Sequence, residues 1–159
     1  MRKEFANELH KRMKRNKRIY FLTGDLGFGV FDQVLKDFPD RAFNVGASEM
    51  AMLDIAVGLA YSGKIPFCYS ITTFLLYRAF ETLRTYINHE KLPVKLIASG
   101  RAKDYLHDGI SHWSEDAEEL FFTNRVAYLS GVYTRGILGS FEDFWPDNPD
   151  EIPQMLDKM

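Results

Sequence analysis

A doubly wound, mainly parallel α/β sheet with helices on both faces is the fold this sequence predicts, and three observations predict it. Short runs rich in β-branched and aromatic residues, at 18–22 (RIYFL), 65–69 (IPFCY) and 94–98 (VKLIA), have the composition of buried strands. Longer stretches with helical apolar spacing lie between them. The two kinds of segment alternate, and no repeat, linker or low-complexity stretch interrupts them, so residues 1–159 are expected to form one domain.

Taken in order, residues 2–15 form a helix in which Phe5, Leu9 and Met13 recur among basic residues. That spacing gives an amphipathic helix with a solvated basic face, and no targeting peptide is expected there. Strand 18–22 follows, then a loop punctuated by Gly24, Gly27 and Gly29, and a short helix at 30–37. The loop sequence GDLGFG fits neither the dinucleotide fingerprint nor the phosphate-binding P-loop, so it is expected to be a tight turn. A short strand at 41–44 leads to a helix at 48–61, strand 65–69, one long helix at 73–87, and strand 94–98. Residues 99–114 are expected to be a polar loop, too long for a mere connection. Residues 124–133 suit strand or helix, and the turn at 145–151 should cap a final short helix.

Composition narrows the function classes. A formal charge of −2 gives no general attraction to nucleic acid or to a membrane surface. No apolar run approaches the roughly 20 residues a spanning helix needs. The single Cys68 excludes an internal disulfide framework and fits a reducing, cytoplasmic setting.

The segment NVGASEMAMLDIAVGLA, residues 44–60, carries the most information. Met52, Ile55, Ala56, Leu59 and Ala60 follow helical spacing and predict a buried stripe, and Glu49 falls on the same face. A carboxylate there must be paired, protonated or bound to a ligand, unless it merely occupies a first turn favoured by the helix dipole. The run TFLLYRAF spaces Phe74, Tyr77 and Phe80 at successive threes, which suits either a core stripe or an aromatic wall. His112, in the sequence DGISH, is either a solvated loop residue or a site residue. Asp25, Glu49, the aromatic run, and Asp108 with His112 each follow a predicted strand, and open α/β sheets bind ligands at that edge.

These motifs resemble the transketolase pyrimidine-binding domain of thiamine diphosphate enzymes. The resemblance rests on Gly46-Ala47-Ser48-Glu49 opening a helix that closes in Gly58-Leu59-Ala60, on Thr73-Phe74-Leu75, and on Asp108-Gly109-Ile110-Ser111-His112. It also takes in the Pro146-Asp147 turn before the last helix, with family-unlike sequence between Phe121 and Phe141. It implies the pyrimidine type of the thiamine diphosphate-binding fold. By the same likeness, Glu49 hydrogen-bonds N1′ of the cofactor's aminopyrimidine and exchanges a proton with it. Phe74, Tyr77 and Phe80 would wall the ring, and Asp25 would approach the cofactor. His112 would reach the reacting carbonyl or the cofactor's amino edge, and Asp108 a substrate hydroxyl.

Two departures matter. Ile110 replaces the family's proline, and Ser99-Gly100 stands where sugar-phosphate enzymes carry histidine, so phosphorylated-sugar specificity is in question. The family's Gly-Asp-Gly motif, which holds Mg²⁺ and the diphosphate, is absent from the sequence, as is its C-terminal domain. The resemblance therefore implies a split enzyme, inactive alone. This chain, as a homodimer core, would share thiamine diphosphate with a diphosphate-binding subunit that holds Mg²⁺. The expected reaction is transfer of a two-carbon ketol unit from a small keto substrate. The alternatives are a split 2-oxo acid decarboxylase or dehydrogenase, and a non-catalytic domain serving assembly or regulation.

Overall fold

Adjacent residues of the central strands point to opposite faces of the sheet, and here both faces are apolar. In the computed structural model, which describes residues 2–100, 102–116, 126–128 and 149–158, five strands make one parallel sheet. They are β1 (Ile19–Thr23), β2 (Ala42–Asn44), β3 (Ile65–Ile71), β4 (Lys95–Ser99) and β5 (Val126–Tyr128), in the order β2-β1-β3-β4-β5. Phe21, Phe67, Tyr69 and Ile97 face one layer, and Leu22, Cys68, Leu96 and Ala98 face the other.

The first layer consists of α1 (Arg2–Arg15), α2 (Asp32–Asp37) and the final helix. Phe5, Leu9 and Met13 of α1 are fully buried, as the amphipathic spacing requires. Polar contacts fasten this layer. His10 Nε2 lies 2.7 Å from Asp37 Oδ2, and Arg12 reaches the last helix at Asp157. Arg41 donates to the carbonyls of Met13 (3.0 Å), Asn16 (3.2 Å) and Ile19 (3.0 Å), so one side chain ties the end of α1 to the start of β1.

The opposite layer is α3 (Glu49–Tyr61), α4 (Thr72–Tyr77) and α5 (Phe80–Thr82), followed by a π-helical turn, Leu83–His89. Two expectations are corrected here. The single helix predicted over 73–87 is broken: α4 ends at Tyr77, and Ala79 leaves helical geometry at φ −114°, ψ 31°. Threonines and aromatic residues are weak helix formers, so contacts on either side of the break decide the path. Arg78 is tied to Glu49, and Thr82 donates to Asp54 at 2.7 Å. The predicted stripe on α3 is also rotated. Ile55 is 46% exposed and Leu59 half-buried, whereas Met52, Leu53, Ala56, Val57 and Ala60 are buried with Glu49. Because this helix is apolar on most sides, its sequence holds several stripes of helical period, and only the packing selects one.

The predicted loop after β4 contains a 3₁₀ helix, Leu106–Ser111, and residues 126–128 of the ambiguous segment are strand. The final helix, α6, runs Ile152–Lys158. The rest of the stretch between Phe121 and Phe141, and the turn at Pro146-Asp147, lie outside the described residues.

Candidate functional site

The sheet order creates one crevice by itself. From β1 the chain crosses to β2 on one side, and from β3 it crosses to β4 on the other. Ligands of open α/β sheets bind outside the carboxyl ends of strands at such a switch point. Gly24 follows β1, Ser70 is near the end of β3, and Glu49 opens α3 after β2, so all three meet there.

Glu49 is 1% exposed, and both of its oxygens are engaged. Ser70 Oγ donates to Oε1 at 2.7 Å, and Arg78 Nη1 donates to Oε2 at 2.6 Å. Of the sequence alternatives, pairing is the one realised. The first turn of α3 also favours the negative charge, and Ser48, which precedes the helix, forms no side-chain cap there. Gly24 lines the same pocket: a Cβ on it would lie 3.0 Å from Glu49 Oε1 and 3.2 Å from Ser70 Oγ.

Asn44, at the end of β2, fixes the approach to α3. Its Oδ1 accepts from the N–H groups of Asp25 and Gly46, each at 3.0 Å, and its Nδ2 donates to Asp25 Oδ1 at 3.1 Å. Asp25 holds φ +55°, a left-handed conformation that costs a non-glycine residue energy, and the Asn44 bonds lock it. The structure thus places Asp25 at the sheet edge, exposed and tied to β2.

The aromatic run divides. The guanidinium of Arg78 lies over the half-buried Phe74 ring, 3.8 Å from its centroid. Tyr77 is half-buried, with its hydroxyl donating to Asp116 at 2.6 Å. Phe80 is past the helix break, at the start of α5, and is 41% exposed.

His112 comes to the same wall, its ring 4.8 Å from Phe74 at an interplanar angle of 67°. Thr73 Oγ1 donates to the Ser111 carbonyl at 2.7 Å and so pins this loop to α4. Ser111 Oγ donates to the Asp108 carbonyl at 3.2 Å and lies 2.9 Å from His112 Nδ1. With the hydroxyl proton directed at that carbonyl, Nδ1 is the donor to Oγ, and in the neutral ring Nε2 is then an acceptor. Asp108 is exposed on the 3₁₀ helix. Tyr105 closes the group, 5.7 Å from the His112 ring, with its hydroxyl 2.7 Å from Ser99 Oγ.

Glu49, Phe74 and His112 are therefore brought together through Arg78 and the Phe74 ring. Sequence reasoning missed Ser70, Arg78, Asn44 and Tyr105. Arg78 alone gave a signal, as the one charge inside the aromatic run TFLLYRAF. Among the described residues, no group of three or more His, Cys, Asp or Glu side chains could hold a metal ion. No helix among them is long and apolar enough to cross a membrane.

Residues 1–124 match the family described as transketolase, pyrimidine binding domain. The chain belongs to this family. Over 113 residues it is 36% identical to a transketolase C-terminal section of Methanocaldococcus jannaschii, a match covering 70% of this chain and 36% of that protein. It is 28% identical over 123 residues to an apulose-4-phosphate transketolase subunit of Actinobacillus succinogenes, covering 77% of this chain and 35% of that protein. A third relative, 1-deoxy-D-xylulose-5-phosphate synthase of Dehalococcoides mccartyi, is 35% identical over 109 residues, covering 68% of this chain and 16% of that protein. The chain thus spans 36%, 35% and 16% of the lengths of these curated relatives.

Among solved structures, one described as a split-gene transketolase in an inactive beta4 tetramer superposes with a TM-score of 0.69. It is 23% identical, and the match covers 87% of this chain and 53% of that one. The transketolase of Campylobacter jejuni gives a TM-score of 0.65 at 16% identity, covering 89% and 28%. At these identities the structural likeness establishes the fold. Membership in the transketolase pyrimidine-binding family implies thiamine diphosphate as the cofactor. Two features of the site fit its aminopyrimidine: a buried carboxylate beside a ring that accepts a flat cation, and a glycine cradle that a methyl group would fill.

Proposed function

We propose that this chain is the pyrimidine-domain subunit of a split thiamine diphosphate enzyme of the cytoplasm. A separate subunit would supply the Gly-Asp-Gly motif, the Mg²⁺ and the rest of the cofactor's contacts. The reaction is transketolase-like transfer of a two-carbon ketol unit from a small keto substrate, carried out on a homodimer core within a hetero-oligomer. The observation that carries this reading is Glu49, a carboxylate 1% exposed at the switch point of the sheet with both oxygens held.

When bound, thiamine diphosphate supplies a thiazolium able to stabilise negative charge beside a carbonyl. The chain's own residues position it. Glu49 would present an oxygen to N1′ and exchange a proton there, while Ser70 fixes the rotation of the carboxyl group. Phe74 and Tyr77 offer aromatic surface to the ring, with Phe80 at the far end of the run and Asp25 at the sheet edge. His112, with Nε2 as acceptor, faces the reacting carbonyl or a hydroxyl beside it, and Asp108 takes a substrate hydroxyl.

The test is Glu49→Gln in the complex recovered with the chain. Loss of nearly all turnover with the assembly intact is the expected result. Unchanged turnover would sink the reading and favour a role in assembly or regulation.

A further inference from the structure

Arg78 meets two of the contacts that the pyrimidine-subunit reading assigns to the cofactor's ring, Glu49 and Phe74. Its guanidinium is flat, donates an N–H to Glu49 Oε2 at 2.6 Å, and covers Phe74 at 3.8 Å. A 4-aminopyrimidine bonded to Glu49 and stacked on Phe74 would need the same oxygen and the same aromatic surface. We propose that Arg78 is a built-in stand-in for the aminopyrimidine, occupying its seat in the free chain and swinging out when the cofactor ring enters. This inference rests on the pyrimidine-subunit reading and adds a gating step to it.

Two further features suit a side chain that moves. Arg78 keeps 44% of its side chain exposed although its partner is 1% exposed, so its path to solvent is open. It also stands at the break between α4 and α5, where Ala79 leaves helical geometry, rather than inside a continuous helix. The physical purpose follows from the burial of Glu49. An unpaired carboxylate at this depth is costly, and a mobile cation removes that cost until the ring arrives. Entry then becomes an exchange of one flat N–H-bearing group for another, and the apparent affinity is lowered by the fraction of chains with the seat closed.

The test uses the full chain and the ring half of the cofactor alone, 4-amino-5-hydroxymethyl-2-methylpyrimidine, with affinity followed by ligand-observed NMR. Arg78→Ala is expected to bind it about tenfold more tightly than the parent chain. Methylguanidinium should displace it from that variant and should raise the variant's melting temperature. Arg78→Lys keeps a charge beside Glu49 but loses the flat face, and should show a smaller gain. Should Arg78→Ala not fold, the lysine variant decides: tighter binding supports the stand-in and unchanged binding overturns it. Equal or weaker binding by Arg78→Ala overturns the gate and leaves the pyrimidine reading standing. Failure of every chain to bind the ring overturns both, even if methylguanidinium still stabilises Arg78→Ala.

Discussion

Gly24 and Glu49 approach so closely that a methyl group on Gly24 would lie 3.0 Å from the Glu49 carboxylate. Gly24 is not among the glycines with positive φ, so its backbone tolerates alanine and only the space forbids it. Gly24→Ala should therefore push the carboxyl group aside without refolding the loop. We expect a stability loss of about 1–3 kcal/mol from overpacking. Under the proposed function, turnover of the assembled complex should drop by more than that loss implies, by about tenfold or greater, because Glu49 would be the group that must be aligned. Urea unfolding and turnover measured on the same preparation compare the two effects.

Ser70→Ala removes the donor to Oε1 and leaves half of a buried carboxylate without its bond. The expected cost is about 1–3 kcal/mol, visible as a lower urea midpoint with an unchanged slope. An unchanged midpoint would show that Arg78 alone suffices to hold Glu49.

Arg41→Met keeps an apolar stem near Phe38 but withdraws N–H donors from three carbonyls, those of Met13 and Asn16 at the end of α1 and that of Ile19 in β1. Hydrogen bonds from a charged group are among the stronger ones, so a loss of about 2 kcal/mol is expected. The loss should appear first as faster amide hydrogen exchange in α1, since that helix loses its anchor to β2. Unchanged exchange in α1, with the urea midpoint intact, would refute it.

Burial pushes the Cys68 thiol well above its ordinary value of 9.0. A raised folded-state value means that the contribution to stability is complete below about pH 9. It declines at higher pH, because only the unfolded chain then ionises. The parent chain should therefore lose stability more steeply than Cys68→Ala between pH 9 and about pH 10.5 in urea titrations. In the folded chain, the thiol should react with disulfide reagents only as fast as the protein opens.

Much of the fold was legible because its signals are local. Strands such as IPFCY are apolar at every position, which marks a sheet covered on both faces, and Phe5, Leu9 and Met13 fix the inner face of α1 by spacing alone. The burial of Glu49 was legible for the same reason, since it keeps helical register with Met52 and Ala56. The stripe through Ile55 was misplaced because an all-round apolar helix gives no unique face, and the helix over 73–87 broke where weak propensity met strong tertiary ties.

By itself, then, the sequence determined the alternation of strands and helices, the family motifs and the inward face of Glu49, each written in neighbouring residues. Only the tertiary structure decided which groups answer that carboxylate. Ser70 and Arg78 are 21 and 29 residues away in the chain, and they reach it because β1 and β3 pair at a point where the winding reverses. Strand order is set by which long-range pairings bury the most surface, and no local spacing records it.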